Sequence, residues 1–296
     1  MFTKLNRRLI LFVIAAIALS TLTVTAQENI WSANTDSTDS IVKDKAVARQ
    51  SFPTEFRLFN LNVEPLKAQL MSITDQPVAL TGNSPASTVI LIPNADGVLE
   101  RFEVFEASNF DAELQEEFPQ IRAFSGRGLD DRHAMLKLSL SPQGIQTTVF
   151  RVGMVNEYIE PYSQDRTIYA VFSRSQRRGE LPWACTTEER NLMSSIHSQV
   201  SSLRLPEANT GTIRTMRLAQ SVNGEYSNFF GATAPAQVAL VLAAVNATLT
   251  RTNGTYEKDL AVHLNLIANT TDVFYYNPAT DPYSTLGNWN NELMNT

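Results

Sequence analysis

One cysteine in 296 residues leaves nothing with which to form an internal disulfide. Histidine is nearly as scarce: His133, His197 and His263 stand far apart, and no pair has metal-ligand spacing. The chain has no H-E-x-x-H helix motif, no G-x-S-x-G elbow, no P-loop and no G-x-G-x-x-G following a strand. Those absences remove the usual short signatures of zinc hydrolysis, serine acyl transfer and nucleotide binding. Positive charge is also in deficit, with 24 Lys and Arg against 30 Asp and Glu, a net charge of −6. A nucleic-acid partner, which needs a basic face, is therefore not expected. Beyond residue 26 no apolar run is long enough to cross a bilayer.

What is present begins with an export signal. Lys4, Arg7 and Arg8 precede an apolar stretch from Leu9 to Leu19. Val24-Thr-Ala26 then suits cleavage before Gln27. The apolar core is too short for a spanning helix, so residues 1–26 read as a cleaved signal peptide rather than a retained anchor. The mature chain is then expected in the cell envelope or outside the cell, without stable membrane insertion. Export with a single cysteine fits a bacterial protein better than a eukaryotic ectodomain. Residues 27–50 are polar and poor in aliphatics, and read as a disordered leader.

Apolar content of 43% supports a folded core, and the length suggests about two domains. Residues 51–173 read as a β-rich domain. Phe56–Phe59, Val89–Ile92, Val98–Ala107, His133–Leu140, Ile145–Val152, Tyr158–Tyr162 and Thr167–Phe172 are expected strands. Ser141-Pro-Gln-Gly144 is the turn of a hairpin, and Val63–Met71 and Asp111–Phe118 are short helices. Residues 174–213 change character. Arg174, Arg177 and Arg178 lead into Leu-Pro-Trp-Ala-Cys185, a weak helix from Glu188 to Arg204, and a plain linker. This stretch is the expected domain boundary and processing region.

Residues 214–296 read as strand, helix, strand. Thr233-Ala-Pro235 is a helix start, with a capping hydroxyl and a Pro in the first turn. Val238, Val241, Leu242, Val245 and Leu249 share one helical face, and Asn253-Gly254 is the expected break. Leu260, Val262, Leu264 and Leu266 then alternate in strand period. Two strands joined by such a helix are expected to be parallel. The fold class is therefore α+β: a mostly β first domain, then the beginning of an α/β domain.

Few residues offer chemistry. Asp130-Asp131 and the Glu113, Glu116, Glu117 group could bind a cation, but a charged turn and a solvated helix face explain them better. His133 reads as solvated and His263 as a packed or surface residue. Ser125-Gly-Arg-Gly128 reads as a loop. Asn246, Asn253 and Asn269 head N-x-Thr triplets and read as ordinary polar positions. Cys185 carries the sharper hypothesis. Its thiolate could cap an open zinc at about 2.3 Å and displace the nucleophilic water. The alternative is an inert, partly buried thiol.

The run from Thr215 to Phe229, TMRLAQSVNGEYSNF, resembles the opening strand of reprolysin-like (adamalysin-type) zinc metallopeptidases of bacterial type. Val262-His-Leu-Asn-Leu-Ile-Ala-Asn-Thr270 and Tyr276-Asn-Pro-Ala-Thr-Asp-Pro282 continue the likeness. Upstream, Phe118–Ile121, Phe124–Gly128, Leu138–Ile145 and Ile159–Tyr162 resemble the β-rich propeptide region of such proteins. The resemblance implies a secreted metzincin zymogen: a propeptide that maintains latency, then an endopeptidase acting on protein or peptide substrates, expected as a monomer. It also implies Zn2+ held by H-E-x-x-H-x-x-G-x-x-H on a later helix, with the Glu as general base. That motif is not in this sequence, so no catalytic residue carries over, and the chain alone is expected to be inactive as an N-terminal fragment. Cys185, in Pro182-Trp-Ala-Cys-Thr186, does not reproduce known cysteine-switch motifs. The rival readings are a non-enzymatic secreted binding or adhesion protein and a propeptide-like inhibitor acting in trans.

Overall fold

The computed structural model describes residues 30–49, 52–74, 85–173, 212–284 and 289–295. The expected signal peptide, Cys185, His197 and the expected Glu188–Arg204 helix lie outside these residues. The chain divides into two compact units. The first comprises residues up to Ala107 together with Ala123–Arg177; the second comprises Ser108–Arg122 and the chain from Arg178 onward.

The first unit is built on nine strands: β1 (Trp31–Ala33), β2 (Arg57–Leu61), β3 (Ser87–Pro93), β4 (Leu99–Glu106), β5 (Arg122–Gly128), β6 (Met135–Ser141), β7 (Gly144–Phe150), β8 (Glu157–Pro161) and β9 (Ile168–Ser173). Their order in the sheet is β1-β2-β9-β8-β7-β6-β5-β4-β3. The sheet curls until its two edge strands meet: the indole Nε1 of Trp31 on β1 donates to the Leu91 carbonyl on β3 at 2.9 Å. Helix α1 (Val63–Met71) closes one side, with Leu66 and Leu70 fully buried against the inner face. Alternation explains the two layers. Tyr169 and Val171 of β9 point into the main core, whereas Ala170 and Phe172 face a smaller aromatic cluster with Tyr162. Leu136, Leu138 and Leu140 of β6 are buried in the main core, each worth about 1.5–3 kcal/mol.

Two expectations fail here. Residues 30–49 carry β1 and a short 3-10 turn, so the described part of residues 27–50 is not a disordered leader. Its few apolar residues are well placed: Ile30 and Trp31 are buried, and Ile41 and Val47 pack on the Tyr162–Phe172 cluster. Ser125-Gly-Arg-Gly128 is strand rather than loop. Glycine is required because a Cβ at Gly128 would collide with the Asp131 carbonyl, and one at Gly126 with the Val104 side chain.

In the second unit, β10 (Arg214–Leu218) pairs in parallel with β11 (Val262–Leu266), Met216 opposite Leu264. Two helices intervene, α3 (Gly224–Phe229) and the long α4 (Val238–Leu260). To number in chain order with these, the short helix Ala112–Glu117 is called α2, and Trp289–Asn295 is α5. Val241, Leu242, Val245 and Leu249 of α4 are buried, as their spacing predicts. Thr233 does not cap the helix through its hydroxyl. Instead the Gln237 side chain reaches back and accepts from the Thr233 N–H at 2.8 Å, in the manner of a capping box. Nor does Asn253-Gly254 break it. The helix continues to Leu260 and ends at Ala261, which takes the left-handed conformation at φ 54°. Leu260 therefore belongs to the exposed end of the helix, not to the strand.

Candidate functional site: the seat on strand β11

Among the described residues, an extended buried polar network lies at β11, and half of it comes from an unexpected part of the sequence. Residues 108–122 form the tip between β4 and β5, whose base is closed by the Ala107 N–H donating to the Ala123 carbonyl at 2.9 Å. By sequence they sit within the β-rich region, and α2 forms where a helix is expected. By structure they belong to the α/β unit.

Phe110 bridges Leu266 in parallel fashion. The Leu266 N–H donates to the Asn109 carbonyl at 2.7 Å, and the Asp111 N–H donates to the Leu266 carbonyl at 2.8 Å. Residues 109–111 thus act as a third strand, added to the edge of β11 that β10 leaves free. Apolar packing accompanies this pairing. Phe110, Leu114 and Ile121 are at most 5% exposed, and they share one core with Val241, Leu242 and Leu266.

Asn109 is 2% exposed and hydrogen-bonded at both ends of its amide. Its Nδ2 donates to Asn246 Oδ1 at 2.9 Å and to Thr250 Oγ1 at 2.8 Å; its Oδ1 accepts from Asn253 Nδ2 at 2.9 Å. Asn246 Nδ2 in turn donates to the Arg122 carbonyl at 3.0 Å, anchoring the far end of the tip. Asn253 also pairs with β11 as a backbone would, accepting from the Leu264 N–H at 2.8 Å and donating to the Leu264 carbonyl at 2.9 Å. The amide that was expected to mark a turn is therefore a substitute strand partner, and this is why the helix does not break there. Asn246, Thr250 and Asn253 recur at i, i+4 and i+7, a polar stripe on the otherwise buried face of α4. That spacing was the sequence signal for this network. Asn246 and Asn253, which read as ordinary polar positions in N-x-Thr triplets, are interior at 1% exposure each. Asn269 is exposed.

Two further side chains close the seat. His263 Nδ1 lies 2.8 Å from Glu257 Oε1, and Nε2 lies 3.1 Å from the Ser108 carbonyl. Asn265 Nδ2 donates to Asp111 Oδ1 at 2.5 Å. His263 is thus a packed histidine whose ring joins α4 to the seated segment.

The other candidates have structural partners. Asp130 lies against Arg101, with Nη2 to Oδ1 at 2.6 Å, and that guanidinium holds its carboxyl below the usual range. Asp131 accepts from the His133 N–H and pairs with Arg151. His133, Glu113, Glu116 and Glu117 are exposed. Among the described residues no three His, Cys, Asp or Glu side chains gather in a way that could hold a metal ion. The described residues therefore do not fit a zinc site. No described helix is long and apolar enough to cross a membrane.

Parallel strands β10 and β11 joined by the long helix α4, with residues 109–111 seated on β11, form an α/β unit. Residues 212–296 match the family model of metallo-peptidase family M12B, reprolysin-like, and this segment is similar to that family. The match takes in β10 through α5 and does not include Ser108–Arg122. No curated protein and no solved structure matches the chain.

Proposed function

We propose that this chain is the N-terminal portion of a secreted, zinc-dependent endopeptidase precursor. The observation that carries this reading is the M12B match over residues 212–296, which falls on the parallel strand–helix–strand unit. In the precursor the nine-stranded unit serves as the propeptide, and processing falls between Arg174 and Arg217. Zinc ligands and the general base come from sequence outside these residues, so this chain alone neither binds catalytic zinc nor cleaves peptides. Substrates are proteins or peptides, and export by residues 1–26 places the protein in the envelope or outside the cell. Zinc capping by Cys185 remains part of this proposal.

The test is to determine the coding sequence downstream of Thr296, then to assay the full product for bound zinc and chelator-sensitive peptide hydrolysis. An open frame containing H-E-x-x-H-x-x-G-x-x-H and one zinc per chain is expected. A frame without the motif, or a product devoid of zinc, overturns the peptidase assignment.

A further inference from the structure

We propose that Ser108–Arg122 is a permanent clip of the α/β unit, and that cutting the chain between residues 174 and 211 does not release the β-rich part. The inference rests on the seat's geometry and is independent of whether the protein is a peptidase. A detachable propeptide would be expected to touch its target through a surface that both sides can rehydrate. This segment instead supplies interior groups. Phe110, Leu114 and Ile121 form part of the unit's hydrophobic core, and Asn109 satisfies three buried side chains on α4. Withdrawing it would expose that core, take both partners from the Asn246 amide, and remove one hydrogen bond each from Asn253 and Thr250. It would also uncover the edge of β11.

Chain connectivity makes the consequence specific. Both ends of the clip continue into β4 and β5, so the β-rich unit follows wherever the clip goes. A single cut in the linker therefore converts one chain into a two-fragment complex. Separation requires either unfolding or further cuts flanking residues 108–122. The partner fitted by the β11 edge is thus committed: a parallel strand with Asn at its first position and Phe at its second, supplied by this same chain.

The experiment places a specific protease site within residues 174–211 of the full chain, cuts it, and follows the fragments by size-exclusion chromatography. Co-elution under native conditions, with separation only in denaturant, is expected. Hydrogen exchange on the cut protein should show the Asp111 and Leu266 amides as protected as in the uncut chain. The variant Phe110→Asp, cut in the same way, should separate into two fragments. The proposal is overturned if the cut wild-type protein separates natively. It is equally overturned if the fragments co-elute while Asp111 and Leu266 lose protection, or if cut Phe110→Asp stays together as tightly as wild type. Should Phe110→Asp unfold the α/β unit before cutting, the exchange measurement on wild type decides alone.

Discussion

At the scale of single residues, buried polar groups carry the sharpest expectations. Asn109→Ala removes an amide that three buried partners depend on, and should destabilise the α/β unit by about 2 kcal/mol. Asn269→Ala removes an exposed side chain of the same type and should stay within about 0.5 kcal/mol of wild type. Denaturant titration of the two variants compares them directly, and equal effects would refute the network's role. Arg151 poses the same question in the β-rich unit. Its side chain is 6% exposed and lies between Glu100 at 2.5 Å, Glu157 at 2.6 Å and Asp131 at 3.2 Å. Arg151→Met would leave those carboxylates facing one another without their cation, at a cost of about 3 kcal/mol. Tyr169 gives a pH signature. Burial pushes its phenol from 10 up to about 12, although the Ile145 N–H favours the anion slightly. Because the folded state holds the proton more tightly, the stability from this group is complete below pH 10. It is lost as pH rises from about 10 toward 12. Tyr169→Phe should flatten that alkaline decline in a stability-versus-pH series.

At the scale of elements, what could be read from the sequence is what depends on near neighbours. The apolar stripe of α4, the parallel pairing inferred for its flanking strands and the β6–β7 hairpin follow from local period and turn chemistry. Each is found. Elements set by distant partners were illegible. Asn253-Gly254 looks like a break because the strand residue that engages Asn253, Leu264, is recognisable only after folding. Gly126 and Gly128 look like a loop because the backbone and side chains that crowd them lie on other segments. The home of residues 108–122 could not be inferred at all: a short acidic helix between strands carries no label for the core it joins. This contrast yields an element-scale expectation. Gly128→Ala forces a Cβ onto the Asp131 carbonyl, which the Arg101–Asp130 pair and the Asp131–Arg151 pair help fix in place. The β5–β6 connection should then rearrange, destabilising the β-rich unit by roughly 1–3 kcal/mol. A loop in that position would have tolerated the alanine, so an unchanged melting temperature would contradict the strand geometry.

At the scale of the whole molecule, the units defined by packing are not the units defined by position along the chain, and stability should follow packing. Ser108–Arg122 is flanked on both sides by strands of the nine-stranded sheet, yet its core residues and hydrogen bonds belong with α4 and β11. A substitution in this segment should therefore loosen the unit that begins in sequence about a hundred residues later, because cooperative opening runs through shared buried contacts rather than along the backbone. Segment-resolved hydrogen exchange separates the two possibilities. In Asn109→Ala, faster exchange is expected across α4 and β11, whereas β6, β7 and β9 should keep their wild-type rates. In Arg151→Met the pattern should invert, with the β-rich strands opening first and the α4 amides unchanged. If Asn109→Ala instead accelerates exchange in β4 and β5 while leaving α4 alone, residues 108–122 draw their stability from the sheet that flanks them. In that case the α/β unit stands without them.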